Sequence, residues 1–267
     1  MAKVSVENRE FFKKAAKEYE DVINASFEKE KSMLNTIKSE DTGVEYKKIS
    51  LCEEMIFIAT LYNAINSSSI KILDVKNNDA LNEARKVLYK AIIYLEEIVT
   101  NVINIAPAEL ADNMEAIKSF PVDKRYYLVR KLGLAIQMII DAFGDNSKWK
   151  WSFVELEGRF AVVAKNLLDI KNAVKDYYDP NSADYETVIL YVRLIKQLLE
   201  KSANSYRDKY ELSSRRIDDM QAGINFLLAL RRVSVALGNS DEAEELKKKA
   251  ITWKDKMEAD QKSGKSN

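Results

Sequence analysis

Apolar side chains recur along most of this chain at steps of three, four and seven residues, the signature of helices that bury one stripe. Phe12, Ala16, Tyr19, Ile23, Phe27, Leu34 and Ile37 form such a stripe and predict a helix from about Val6 to Lys38, closed by the polar run ending at Gly43. Leu51, Met55, Ile58 and Tyr62 predict a second over about Glu45–Ser67, followed by a polar connection at Asp74–Asp79. The third is the most regular. Leu81, Ala84, Leu88, Ala91, Leu95, Ile98, Val102 and Ile105 hold an unbroken spacing, predicting a helix from Asp79 to Ile105, about 40 Å long at 1.5 Å per residue.

Beyond it, Pro107 fits the first turn of a short helix, and Ser119-Phe-Pro121 opens another that runs through Leu128, Leu132 and Ile136 to Phe143. Gly144 then stands where a left-handed helix end is expected. Asp145-Asn-Ser opens a helix expected to reach Tyr178. Asp179-Pro180 reads as a boundary, with Asp as cap and Pro in the first helical turn. A helix to about Leu212, a break at Ser213-Ser214, a helix over Arg215–Leu237, a turn at Gly238–Asp241 and a last helix to Asp260 complete the chain.

The pattern therefore predicts an all-α fold of about nine helices in antiparallel hairpins, either a helical bundle or a short α-solenoid. No stretch alternates as a half-buried strand would, and seven Gly and three Pro in 267 residues leave few breakers. No linker is long enough to demand separate domains. Residues 1–260 read as one domain, with hinge points at Asp74–Asp79 and Asp179-Pro180, and Gln261–Asn267 as a frayed polar tail.

Residues 224–255 carry a more specific pattern. Leu230, Leu237, Gly238, Ala243 and Ala250 lie in the order of an apolar helix, a Gly turn and a helix with small residues seven apart. This segment resembles one tetratricopeptide-type helical hairpin, in which small residues let two helices approach closely. It departs from that family at Lys247 and Asp255, and the first-helix signature positions fall on Arg231 and Ser234. The Ala84 segment matches only the second helix of such a unit. The resemblance implies a groove that binds peptide or protein.

Composition changes the picture mainly by exclusion. Lys+Arg and Asp+Glu are 42 each, against the basic surplus of a nucleic-acid binder. Leu132–Phe143 and Ala222–Leu230, the strongest apolar runs, fall short of the roughly 20 residues a membrane span needs. The N-terminus has no apolar signal segment, so a cytoplasmic location is expected. Cys52, the single cysteine, has apolar neighbours in Leu51, Met55 and Ile56 and reads as a buried small hydrophobe; Glu53 and Glu54 would raise its pKa.

The chain has no histidine, which removes histidine-dependent nucleophile systems and the common zinc, di-iron and haem ligand sets. Ser263-Gly-Lys-Ser266 looks like the end of a phosphate loop, but Ala259 stands where its earlier Gly belongs. A calcium loop starting at Asp74 fails at Lys76, Asp79 and Arg85. The near pairs Glu53/Glu54, Glu96/Glu97, Asp176/Asp179 and Asp218/Asp219 read as solvated helix faces. No catalytic residue, metal ligand or cofactor is predicted.

Two clusters are candidate partner-binding surfaces. Lys148-Trp149-Lys150-Trp151 with Phe153 sets two indoles among basic groups, either as an interface or as packing in the adjacent hairpin. Tyr177, Tyr178, Tyr185, Tyr191, Tyr206 and Tyr210 gather around Asp179-Pro180, edging a groove or packing with their hydroxyls at a rim. Arg215-Arg216 and Arg231-Arg232 offer contacts to an acidic partner, although Asp218 and Asp219 can pair with the first set. Trp149, Trp151, Tyr178, Tyr185, Arg231 and Arg232 are the strongest candidates. The sequence thus predicts a non-enzymatic interaction or scaffolding module that binds a protein partner or itself, as a component of a larger bacterial assembly. The alternatives are a small-ligand or regulatory helical domain and, further off, a carboxylate-dependent enzyme.

Overall fold

Helical stripes of this kind need partners to cover them, and the computed structural model, which describes residues 5–40, 42–144 and 148–264, supplies them from other helices. Among the described residues there are ten α-helices and no strand. None of these helices is long and apolar enough to cross a membrane. The residues fall into two compact units, each a helical bundle: one made of residues up to Ile98 with Leu128–Trp149, the other of Val99–Tyr127 with residues from Lys150 onward. The Asp179-Pro180 bend lies inside the second unit.

In the first unit, α1 (Val6–Ser39) is started by the Ser5 hydroxyl, which accepts the Asn8 N–H at 3.0 Å, and packs along α2 (Val44–Leu73). Only Ala16, Ile23, Ser26 and Glu30 of α1 are buried. The second helix runs six residues past the predicted Ser67, because its late polar residues are used internally. The Ser69 hydroxyl donates to the Val75 carbonyl at 2.7 Å, and Asn66 Oδ1 accepts the Asn77 N–H at 2.9 Å. Asp74, at φ +53°, ends the helix. Asn77 Oδ1 then accepts the Ala80 N–H at 3.0 Å and starts α3 (Asn78–Val99). Leu81, Ala84, Leu88, Ala91, Leu95 and Ile98 are all buried, as their spacing requires. Cys52 is buried too, and loss of hydration, with Glu53 beside it, pushes its thiol far above the ordinary range.

The expected third helix is too long. α3 stops at Val99, six residues before Ile105, because Thr100 turns left-handed at φ +66°, and Val102 is 49% exposed. Pro107 does not open a helix either; it lies in turns ahead of α4 (Ala111–Ala116). α5 (Val122–Phe143) begins just after Pro121, whose carbonyl accepts the Arg125 N–H at 3.0 Å, and ends at Gly144 with φ +78°, a conformation that spares a side chain's strain.

The stretch predicted as one helix to Tyr178 is two: α6 (Lys150–Asn166) and α7 (Ile170–Tyr177). The proposed start at Asp145-Asn-Ser lies outside the described residues. The Asp169 side chain accepts the Asn172 N–H, so this acid caps a new helix where the apolar pattern alone continues. Asp179 and Pro180 form a turn rather than a helix start: Asp179 Oδ1 accepts the Asn181 N–H at 3.0 Å, and α8 (Tyr185–Lys209) begins five residues later than Pro180. A π-helical turn at Tyr210–Ser214 leads through Arg215, at φ +52°, into α9 (Ile217–Ala236), and Gly238 turns the chain into α10 (Ser240–Lys262).

Within the second unit α8 packs against α6, α7 and α9, and α9 against α10. Gly223 permits the close approach of α9 to the α8 backbone, since a Cβ there would sit 3.1 Å from the Ala203 carbonyl oxygen. Ala243 and Ala250, the small residues seven apart, are both buried. Tail residues Gln261 and Lys262 extend α10, and residues 265–267, with the end of the Ser263–Ser266 motif, lie outside the described part.

Candidate functional site

Two concavities adjoin in the second unit, around the turn between α6 and α7. Three side chains hold that turn. Arg125, in the first turns of α5, is buried; its Nε donates to the Phe120 carbonyl at 2.6 Å and its Nη2 to the Ile117 carbonyl at 2.8 Å. Its Nη1 reaches the Leu167 carbonyl at 3.1 Å and Met114 Sδ at 3.3 Å. One planar guanidinium thus joins α4, the turn after it and the end of α6. Asn166, fully buried, donates from Nδ2 to the Thr100 and Val102 carbonyls at 3.1 and 3.4 Å, which holds the left-handed turn at Thr100. Tyr191 on α8 is fully buried, with its hydroxyl donating to the Ala164 carbonyl at 2.9 Å and its ring 5.5 Å from that of Tyr126. Burial pushes the Tyr191 phenol far above its ordinary range, while Arg125 opposes the shift. Tyr191→Phe is expected to cost about 1–2 kcal/mol in a denaturant titration, the net worth of one buried hydrogen bond whose acceptor is left bare.

Two adjoining spaces open beside this turn. The larger is a cleft of about 530 Å³ bounded by α4, Phe120–Val122, the α6–α7 turn, α7 and the start of α8. Its charged residues are of both signs: Glu115, Lys118, Lys171, Asp176 and Asp184 among them. The smaller is a cavity of about 40 Å³ that shares Pro107, Met114, Leu168 and Asp169 with the cleft and is otherwise mostly apolar. Lys165 and Arg232 also line it. A third hollow, about 260 Å³, is edged by Tyr177, Arg193, Lys196 and Glu242.

The residues singled out from the sequence are dispersed. In the first unit, Trp149 has the Arg85 guanidinium 4.3 Å and the Lys148 amine 5.3 Å from its ring centroids, so this indole is engaged by cations of its own unit. In the second unit Trp151 lies under Lys150 at 4.9 Å, and Phe153 is buried. The tyrosine cluster separates into core and surface. Tyr191 and Tyr210 are interior, the latter donating to Asp260 Oδ2 at 2.9 Å, and neither edges a groove. Tyr206 stacks on Phe226 at 5.6 Å. Tyr178 is 60% exposed with its hydroxyl donating to the Leu237 carbonyl, its ring at 79° to that of Tyr177. Tyr185 is the half-buried first residue of α8. Arg231 has a buried Nε that meets no acceptor among the described residues, whereas Arg232 Nε donates to Asn104 Oδ1 at 3.0 Å.

Most members of the acidic pairs are engaged by cations or by hydrogen-bond donors. Glu53 meets Lys131 at 2.9 Å and Glu54 meets Lys29 at 2.5 Å. Glu97 meets Lys48 at 3.1 Å, and Asp218 lies 3.3 Å from Arg216. Asp219 is buried between Lys209, at 2.8 Å, and the Ser214 hydroxyl, at 2.6 Å. Among the described residues, no three acidic or cysteine side chains converge as a metal-binding group.

Lys165, Arg125 and Asn166 were not foreseen as site residues. The signal for Lys165 and Asn166 was present, since they are the polar pair inside the run Ala161–Leu168. Arg125 had none, because its acceptors are backbone carbonyls of other segments.

Fold and cleft together define an all-α protein of packed helical hairpins with a concave polar surface in its second unit. The chain belongs to the TP0443 family, whose profile matches residues 8–261. No curated protein and no solved structure matches it.

Proposed function

We propose that this protein is a non-enzymatic helical interaction module, a component of a larger assembly, that takes an extended segment of a partner protein into the cleft beside α7. The observation that carries this reading is the cleft itself. At about 530 Å³ it lies within the usual range for binding concavities, and charges of both signs line it, with Phe120, Pro121 and Val122 between them. Such a lining suits a peptide, whose backbone needs donors and acceptors and whose side chains need small apolar contacts. The hairpin of α9 and α10, with its resemblance to a tetratricopeptide-type unit, supports the same reading.

Lys118 and Lys171 supply the cationic side of the cleft; Lys118 lies 2.5 Å from Glu115 and Lys171 is exposed. Reversing both to Glu leaves the buried framework untouched and changes the cleft by four charges. Affinity capture from the source cells with intact wild-type chain is expected to retain a discrete protein, and the Lys118→Glu/Lys171→Glu chain is expected to lose it at least tenfold. Equal recovery by both chains, or no protein retained by either, would count against the cleft as the docking site.

A further inference from the structure

The small cavity beside the cleft has an electrostatic feature that the docking of a peptide does not use. Its lining holds three charged residues: Lys165 from α6, Arg232 from α9 and Asp169 from the α6–α7 turn. Asp169 is already committed, its two oxygens accepting the Asn172 N–H at 3.4 Å and Asn172 Nδ2 at 2.7 Å. Arg232 uses Nε on Asn104, and its terminal amino groups meet no acceptor among the described residues. Lys165 has no hydrogen-bond or ion-pair partner among the described residues. Two cations thus face a single carboxylate, that of Asp169 oriented by Asn172, around one small, mostly apolar space, and the lining carries a net positive charge. Both cations are half-buried, and charges drawn out of water are ordinarily given a counter-charge.

We propose that this cavity binds a short-chain monocarboxylate, its anionic head held by Lys165 and Arg232 and its apolar tail lying against Ile195, Ala229 and Val233. The reading is independent of the protein-docking cleft. The volume fits the anionic head: a water needs roughly 10–15 Å³ on this measure, so about 40 Å³ holds the carboxylate and little more. A longer tail leaves past Pro107, Met114 and Leu168 toward the cleft. Cation-to-carboxylate hydrogen bonds are the strong kind, and the apolar walls exclude competing water. A cation or a neutral alcohol of the same length lacks that gain.

The ionisation of Lys165 agrees. Burial, with Arg232 next to it, lowers the amine from 10.5 to about 8. At pH 7 it is still mostly cationic and able to bind an anion. Between pH 8 and 10.5 the folded chain binds fewer protons than the unfolded one, so the strain of burying this charge is full below pH 8 and fades as pH rises to 10.5. A bound carboxylate relieves it.

The test is calorimetric titration of the full chain with hexanoate, hexan-1-ol and hexylamine at pH 7. Hexanoate is expected to bind at sub-millimolar Kd, hexanol at least tenfold more weakly and hexylamine not at all. Lys165→Met, which removes a half-buried, desolvated charge, is expected to raise Tm and yet weaken hexanoate at least tenfold. Wild-type affinity is expected to fall above pH 8, by up to tenfold per unit, and the variant's to stay flat. Absence of hexanoate binding, equal binding of hexanoate and hexanol, or unchanged affinity in Lys165→Met would overturn the proposal. The Lys118 and Lys171 variants do not touch this lining, so failure here and failure of the docking cleft are told apart.

Discussion

Arg125→Met is expected to cost about 3–5 kcal/mol of unfolding free energy, the range for removing one side of a buried charged network. Methionine replaces most of the side chain's length, so the loss comes from polar groups rather than from an empty space. The carbonyls of Phe120, Ile117 and Leu167 each lose a charged donor; Ile117 keeps the Phe120 N–H at 2.9 Å, while Phe120 and Leu167 lie outside the regular helices. An unsatisfied buried acceptor costs about 1–3 kcal/mol, moderated here because the neighbouring cleft admits some water. Arg125→Lys is expected to recover less than half of the loss, since a single ammonium cannot reach three carbonyls set around a planar fork. A denaturant titration reads both values, and a loss under 1 kcal/mol for Arg125→Met would show that the knot does not hold the turn. Hydrogen exchange adds a local reading: amides of Leu167–Ala173 are expected to lose protection first.

This residue also marks where sequence reasoning stops. Helices were legible wherever one stripe faces one neighbour, as in α1, α3 up to Ile98, and the α9–α10 hairpin, because periodicity is a property of local chain geometry. Errors gathered where long-range polar contacts override that pattern. The apolar spacing runs unbroken through Val102 and Ile105, yet Asn166, more than sixty residues away in the chain, takes the Thr100 and Val102 carbonyls out of the helix. The same spacing runs through Leu167 and Leu168, yet Asp169 caps a new helix there. In α2 the sign is reversed: Asn66 and Ser69 look like terminators and are instead tied to the following connection. The candidate site shared this fate. It is built around those same overrides, so its framework of Arg125 and Asn166 was invisible, while the tyrosine cluster, conspicuous in the sequence, contributed Tyr191 to the interior. Arg232 was singled out for an acidic partner, and Lys165, the cation lining the cavity with it, lies 67 residues earlier in the chain.

The second large effect is expected from Glu30→Ala in the first unit, at about 2–3 kcal/mol. α1 is long but lightly anchored, with four buried residues over thirty-four. One of the four is a carboxylate. Glu30 accepts the Tyr94 hydroxyl and lies 2.6 Å from the Lys90 amine, both on α3. Loss of hydration, together with the bond to Glu30, pushes the Tyr94 phenol far above its ordinary range, so it remains a donor at any physiological pH. Removing Glu30 strands that hydroxyl in a buried position and leaves Lys90 partly covered without its counter-charge. Replacing both ends should therefore recover stability: Glu30→Leu with Tyr94→Phe is expected to lie within about 1 kcal/mol of wild type, since apolar groups of similar shape need no donor. A double-mutant cycle on Glu30 and Tyr94 measures their coupling, expected at about 1–2 kcal/mol. Because α1 has so few other buried contacts, the loss in Glu30→Ala should appear as local release of this helix before global unfolding, read as faster amide exchange over Ala16–Thr36 with α2 still protected. Uniform loss of protection across α1, α2 and α3, or a coupling energy near zero, would mean that Glu30 merely shares the interface and does not fasten the helix.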